Sequence, residues 1–413
     1  MVRFLQLADI QFDTQVLGRS ASLRAMLKDA QRAALSRAIG YAITEKLDFV
    51  AISGDLFDAD KLSFATERFL GAEISRLSEA GILCLYASGN HDPGGSRSRL
   101  RSVEWPANFI RILKGSPQII PIYNSDRALL ANVVGAGHES QAVEENLARN
   151  FPQADGPIPF IGLLHTFVTS AQSVESHDRY APSTVADLEG KRYAYWALGH
   201  IHVRQKVDEA VEAWYPGILQ GRNFKESGEK GGLVVTVHDS GSADVEFHAF
   251  SSVRWETLQL KTLESIESIA EFQSEAIRAY ESTDPTRDDE LLLRLELSGR
   301  SPLARQLAET DEAEELTRIL TEELGVRHLE LRTTNLFPNI PVDKFRGETH
   351  VLGEVLDVLE QAKADDNLLK RLKPGDLIGF EEQPEDLPAY LRDLLAGMDI
   401  EAVSRFVGDR HED

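Results

Sequence analysis

One cysteine, Cys84, stands in 413 residues. An intrachain disulfide is therefore impossible, which fits a reducing, cytoplasmic setting. No apolar run reaches the ~18 residues that would mark a membrane-spanning helix. Met1 leads straight into VRFLQLAD, with no basic stretch before an apolar one, so no signal peptide is expected. Basic residues are scarce: 44 Lys and Arg stand against 67 Asp and Glu, a net charge of −23. That balance argues against passive, non-specific nucleic-acid binding, which needs basic surface to displace counterions. It does not exclude a nucleic-acid enzyme, because local patches and divalent cations offset a global excess of acid. Internal repeats, low-complexity segments and any Ser/His/Asp or Cys/His nucleophile pattern are also missing.

The length suggests two or three domains. Up to about residue 250, short apolar runs alternate with helical stretches. The runs are FLQLAD (4–9), FVAISGD (49–55), ILCLYASGN (82–90), FIGLLH (160–165) and YWALGH (195–200). Between the second and third lies FATERFLGAEISRLSEAG, apolar at helical spacing and closed by Gly81 as a C-terminal stop. Strands alternating with helices predict an α/β layer fold over residues 1–250. From 251 to 340 the pattern is strand, helix, strand: LLLRLEL alternates Leu293, Leu295 and Leu297 with Arg294 and Glu296, and VRHLELRT follows a helical stretch. This predicts a small α+β domain, with Trp255 anchoring its start. Residues 341–413 read as a helical tail, broken at LKPGD and EEQPED. In VLGEVLDVLEQAK the spacing sets Val351, Leu352, Val355, Leu356 and Leu359 on one side. Such a stripe must pack on the rest of the chain or on a partner.

All five apolar runs of the first region end in metal-ligand residue types. The ends are Asp9 with Gln11, Asp55, Asn90 with His91, His165, and His200 with His202. In α/β sheets ligands collect beyond the carboxyl ends of strands, so these ends are expected to meet. Carboxylate, amide oxygen and imidazole without thiolate suit manganese, iron or zinc. A carboxylate such as Asp55 can bridge two ions, and two ions about 3.5–4 Å apart serve in-line phosphoryl displacement.

The ordered series D-x-Q, GD-x-x-D, GNHD, a later His and GHxH resembles the calcineurin-like metallophosphoesterases. Within them it is most similar to the SbcD/YhaO branch, bacterial relatives of the nuclease subunit of the double-strand-break repair complex. YPGILQGRNFKESGEKGG (215–232), LSGRSPL (297–303) and the helical tail support that branch. The resemblance implies a β-sandwich flanked by helices, a capping domain that orients DNA, and a two-metal DNA nuclease. It implies that Asp9, Gln11, Asp55 and His202 hold one divalent ion, and that Asp55, Asn90, His165 and His200 hold the other. Manganese is the expected metal, with magnesium, iron or zinc open. His91 would lie against the phosphate, stabilising charge or protonating the leaving oxygen, and a metal-activated water would be the nucleophile. An SMC-like ATPase is the expected partner, with the helical tail as its docking element, and a homodimer is usual.

The departure is Gln11, where the family normally has His. Three readings stay open: the amide oxygen holds the first ion more weakly, it reaches the ion by its extra methylene, or catalysis is lost. The last leaves a subunit that only binds DNA or an ATPase. A phosphodiesterase for a small or cyclic nucleotide is a further alternative. Arg97, Arg99 and Arg101, and Arg222, Lys225 and Lys230, are either DNA-phosphate contacts or ordinary solvated charges. His138 follows another strand-like run, LLANVVGAG, and could line the cleft, but it matches no ligand motif and reads rather as a plain loop residue. His177, His238, His248, His328, His350 and His411 read as surface or core, and Cys84 as buried and inert.

Overall fold

Alternate residues of VRFLQL face opposite ways in an extended chain. In the computed structural model this segment is β1 (Val2–Leu7). The structure describes residues 1–14, 20–58, 62–95, 98–169, 180–261, 263–283, 290–372 and 387–408. Val2 and Phe4 enter one core, Leu5 and Leu7 another. Both faces are apolar because both are covered, as in largely parallel sheets. The chain continues through α1 (Ala21–Thr44), β2 (Phe49–Ser53), α2 (Phe64–Glu79), β3 (Leu83–Ala87), α3 (Arg99–Ser102) and β4 (Phe109–Ile112). Next come β5 (Gln118–Tyr123), β6 (Leu129–Ala136), β7 (Phe160–His165), α4 (Val185–Glu189), β8 (Tyr195–Gly199), β9 (Gln205–Asp208), β10 (Val211–Tyr215), β11 (Gly231–Val237) and β12 (Ala243–Ala249).

These strands form two six-stranded sheets, ordered β12-β11-β1-β2-β3-β4 and β5-β6-β7-β8-β10-β9. In the first, β1 to β4 are parallel and β11 runs antiparallel to β1. In the second, β6, β7, β8 and β10 are parallel. Phe4, Phe49 and Leu85 of the first sheet meet Ile161, Leu163 and Tyr195 of the second in a shared core. Polar links cross it: Tyr195 donates to Gln6 Oε1 at 2.6 Å, Gln6 donates to the Leu198 and Trp214 carbonyls, and Ser53 Oγ donates to the Ala197 carbonyl at 3.1 Å. The outer face of the first sheet packs on α1 and α2 through Leu35, Ile39, Leu70 and Ile74. Ser20 and Ser63 start these helices by accepting the Leu23 and Thr66 amides. The expected stop at Gly81 is present: the residue has a φ of 73°, and the Ile82 amide closes back on Leu77. Cys84 is fully buried in β3, where burial pushes its thiol up to about 12.

By internal packing the chain divides into Met1–Glu256 with Asp289–Leu291, and Thr257–Asp288 with Leu292–Asp413. The β-sandwich is the first unit. β13 (Val253–Leu260) leaves it, followed by α5 (Ile269–Glu281), β14 (Glu290–Ser301), α6 (Ala304–Ala308), α7 (Thr310–Glu323) and β15 (His328–Pro338). β14 and β15 pair in parallel, so α6 and α7 form the crossover. Leu293, Leu295 and Leu297 are buried as their alternation predicts. Trp255 packs within the first unit, donating to the Gly221 carbonyl at 2.9 Å and meeting Phe224 edge-on. The tail forms α8 (Val351–Ala364), α9 (Asp366–Leu372), α10 (Leu387–Leu394) and α11 (Met398–Gly408). Leu352 and Leu356 pack on Ile400 and Val403, while Val351 and Val355 of the same expected stripe are exposed. The EEQPED break lies outside the described residues.

Candidate metal centre

The loops after β1, β2, β3 and β8, with the last residue of β7, carry the seven expected ligands. All lie in the first unit, and backbone bonds stitch the loops together. The Asp9 amide donates to the Gly54 carbonyl at 3.2 Å, and the Gln11 amide to the Asp55 carbonyl at 2.8 Å. The His200 amide donates to the Asp9 carboxylate at 3.0 Å. Asp9, Gln11, Asp55 and His200 all have positive φ, at 50°, 50°, 53° and 111°. Such conformations cost about 1–3 kcal/mol each and cluster where a site over-determines the backbone. The glycine of GH has a steric cause: a Cβ on Gly199 would overlap the Ser53 carbonyl and the His165 ring.

Asp55, Asn90, His165 and His200 converge. His165 Nε2 lies 2.8 Å from Asn90 Oδ1 and 3.4 Å from Asp55 Oδ2, and His200 Nδ1 lies 3.3 Å from Asn90 Oδ1. Ligand atoms of Asp9, Asp55 and His165 all fall within 4.8 Å of one another, and all three residues are buried. His165 Nδ1 sits 2.9 Å from the Ser53 carbonyl, which can only accept. The proton is therefore on Nδ1, and Nε2 turns a lone pair toward two oxygen acceptors. Burial lowers the His165 pKa, which keeps the ring neutral. Acceptors facing one another in a buried space fit a cation.

The carboxylates agree. Burial, then the Asp55 charge, raise Asp9 well above the usual range and push Asp92 up to about 7. Burial works the same way on Asp55, but the surrounding His165 and His91 outweigh it and lower its pKa. Crowded buried carboxylates of this kind call for positive charge.

Three supporting residues were not read from the sequence. The Asp92 carboxylate accepts the Asp55, Leu56, Phe57 and Gly89 amides, fixing the loops that carry Asp55 and Asn90. Asp58 Oδ1 lies 2.8 Å from His91 Nδ1, and the His91 amide donates to Asp55 Oδ1 at 2.9 Å. Asp58 was visible as the second acid of GDLFD. His138, expected to be a plain loop residue, is fully buried, and its Nε2 lies 2.8 Å from the His165 carbonyl. Its signal was the one that marked His165, an imidazole after an apolar run.

Gln11 and His202 stand apart from the converging set. Gln11 Oε1 accepts from Arg222 Nη1, and its Nε2 lies 3.4 Å from Asp55 Oδ2. Arg222 Nη2 lies 3.1 Å from His202 Nδ1, and Glu226 Oε1 lies 3.4 Å from the same nitrogen. Burial alone would raise the Glu226 carboxyl, but the adjoining His202 and the Arg222 guanidinium hold it at about 2. Arg222 thus points into the centre rather than toward solvent, whereas Lys225 is exposed and Lys230 half-buried. Arg101 is exposed, with Nε donating to the Gly94 carbonyl at 2.7 Å. Arg97, the Arg99 side chain, His177 and His411 lie outside the described residues. His238 pairs with Asp244, His248 lies 3.2 Å from the Tyr41 hydroxyl, and His350 caps α8. His328 is half-buried in β15. Among the described residues no helix is long and apolar enough to cross a membrane.

The calcineurin-like phosphoesterase profile matches residues 2–204. Over 303 residues the chain is 31% identical to the uncharacterized metallophosphoesterase YhaO of Bacillus subtilis, covering 72% of each. Among solved structures it is similar to TT1561 of Thermus thermophilus, at 14% identity and a TM-score of 0.33 over 60% of this chain and 98% of that one. A dimetal phosphatase from Danio rerio gives 13% and 0.34 over 57% and 92%. The match to the Bacillus relative spans most of both chains, the profile covers the seven expected ligands, and on these the chain belongs to the calcineurin-like phosphoesterases, a family of metal-dependent phosphoesterases.

Proposed function

We propose that this protein is a divalent-metal-dependent phosphodiesterase that cleaves DNA at ends or in single strands, using manganese. The observation that carries this reading is the set of buried ligand-type atoms of Asp55, Asn90, His165 and His200, which converge. These four residues would hold an ion, with Asp9 adding its charge beside them. A bound divalent ion polarises the phosphoryl oxygens and activates water for in-line attack.

The protein's own groups do the rest. The Ser53 carbonyl fixes the His165 tautomer. Asp92 holds the Asp55 and Asn90 loops in register. His91 is 39% exposed and so open to a substrate, and its Nδ1–H donates to the Asp58 carboxylate. Nε2 is then the atom that delivers a proton to the leaving oxygen. Exposed Arg101, on α3, and Lys225, in the connection between β10 and β11, supply charge for a polyanion. The likeness to the SbcD/YhaO branch supports DNA over other phosphodiesters. It also supports an SMC-like ATPase partner and a homodimer, with exposed Val351, Val355 and Val358 on α8 as the apolar face for the ATPase.

A second reading, a small or cyclic nucleotide as substrate, is favoured by one observation: Arg222 turns inward and leaves less basic surface. Competition separates the two. Single-stranded DNA should inhibit hydrolysis of bis(p-nitrophenyl) phosphate at micromolar concentrations. Inhibition by cyclic or mononucleotides alone would favour the small substrate.

A further inference from the structure

We infer that the Arg222 guanidinium fills the first cation position, so that the centre binds one divalent ion and carries its other positive charge on the protein. This rests on the metal-dependent reading of the site but not on the identity of its substrate.

The ligand-type side chains fall into two sets by what they touch. In the first, His165 Nε2, Asn90 Oδ1, His200 Nδ1 and Asp55 Oδ2 stand 2.8–3.4 Å apart, with His165 presenting a lone pair to the oxygens. In the second, one guanidinium reaches both members. Arg222 Nη1 donates to Gln11 Oε1, and Arg222 Nη2 lies 3.1 Å from His202 Nδ1. The Gln11 amide is turned so that its NH2 group, not its oxygen, faces Asp55 at 3.4 Å. Its one good ligand atom is committed to Arg222.

This guanidinium is anchored. Its own amide and Nε donate to Glu226 Oε2 at 2.8 and 3.2 Å, and Nη2 donates to Oε1. The arginine is held by both carboxylate oxygens, a geometry that lysine could not copy. Side chains of both partners are largely buried, at 15% and 9% exposure. Arginine does not give up its proton in proteins. A divalent ion held by Asp9, Gln11 and His202 would therefore have to share its ligands with a fixed like charge. Gln11 now has a reason: a neutral carbonyl accepts from a guanidinium, and as a ligand it would only be a weak one. A fixed guanidinium beside one ion still places positive charge where the phosphoryl group reacts.

The test is metal stoichiometry, with manganese alone as the probe. The full-length protein is dialysed against Mn2+ and counted by mass spectrometry of the metal. Electron paramagnetic resonance then distinguishes isolated from coupled ions. One tight equivalent per chain with the six-line spectrum of an isolated ion is expected. Two tight equivalents, or an exchange-coupled spectrum, would overturn the inference. In Arg222→Met/Glu226→Gln/Gln11→His, which removes the buried pair together and restores an imidazole, the count should rise to two. A folded triple variant that stays at one equivalent would overturn it as well. The wild-type count needs no variant, so misfolding of the triple variant leaves the test standing. One equivalent without DNA cleavage sinks the nuclease reading alone. Two equivalents with manganese-dependent cleavage sinks the guanidinium inference alone.

Discussion

Asp58→Asn should slow DNA cleavage about 30-fold while leaving an activated phosphodiester almost untouched. Asp58 Oδ1 sits 2.8 Å from His91 Nδ1, and the two side chains are 29% and 39% exposed. A hydrogen bond to a charged partner contributes about 1.5–3 kcal/mol, and partial exposure sets this one at ~2. At 1.36 kcal/mol per decade, that is roughly 30-fold in rate if the bond orients His91 toward the leaving oxygen. DNA leaves as an alkoxide and needs the proton, whereas p-nitrophenolate leaves without one. Rates on a labelled DNA strand and on bis(p-nitrophenyl) phosphate are therefore measured side by side in Mn2+, with metal content determined for each protein. Equal losses on both substrates would refute the proton-delivery role. So would a loss below about threefold on DNA, or a loss explained by missing metal.

Other perturbations reach the supports of the site. Asp92→Ala deprives four backbone amides of their acceptor. With water re-entering in part, about 2–3 kcal/mol should be lost in urea unfolding, and a loss under about 0.5 kcal/mol would contradict its loop-fixing role. His138 is pushed from 6.5 to about 4 by burial and then by His165. Its contribution to stability is complete above pH 6.5 and is lost as pH falls toward 4, up to ~3 kcal/mol at 1.36 kcal/mol per pH unit. His138→Gln should flatten the stability slope between pH 7 and 5, and an unchanged slope would count against a neutral buried ring. Mn2+ at a hundredfold its dissociation constant should stabilise the wild type by about 2.7 kcal/mol. Asp55→Asn should abolish that shift, and a shift of equal size in the variant would place the ion elsewhere.

The strand ends were legible because each joins an apolar run to a polar residue, and a buried parallel strand needs that contrast. That the loops meet followed from where α/β sheets gather ligands. The pairing of β1 with β11 was not legible, because it joins Leu5 to Val234 and no local pattern carries that distance. Asp92 was missed because a carboxylate after GNH reads as solvated, and its amide donors come mostly from the 55–57 loop. Arg222 was assigned to surface charge or DNA, since an arginine is normally exposed. Its partner four residues on, Glu226, was the sign that it could be buried. On α8 the helical period gave the width of the apolar stripe. Which half was covered depended on Ile400 and Val403, some 45 residues away.

The central claim is a metal centre that hydrolyses phosphodiesters of DNA. Its most direct test is cleavage of end-labelled single- and double-stranded DNA by the purified full-length protein, with Mn2+ or with EDTA, beside His91→Ala. Cleavage should appear with Mn2+, vanish with EDTA, and fall by roughly 10²–10⁴-fold in His91→Ala at unchanged metal content. Absence of cleavage of either DNA in saturating Mn2+, or a His91→Ala protein as active as the wild type, would contradict it.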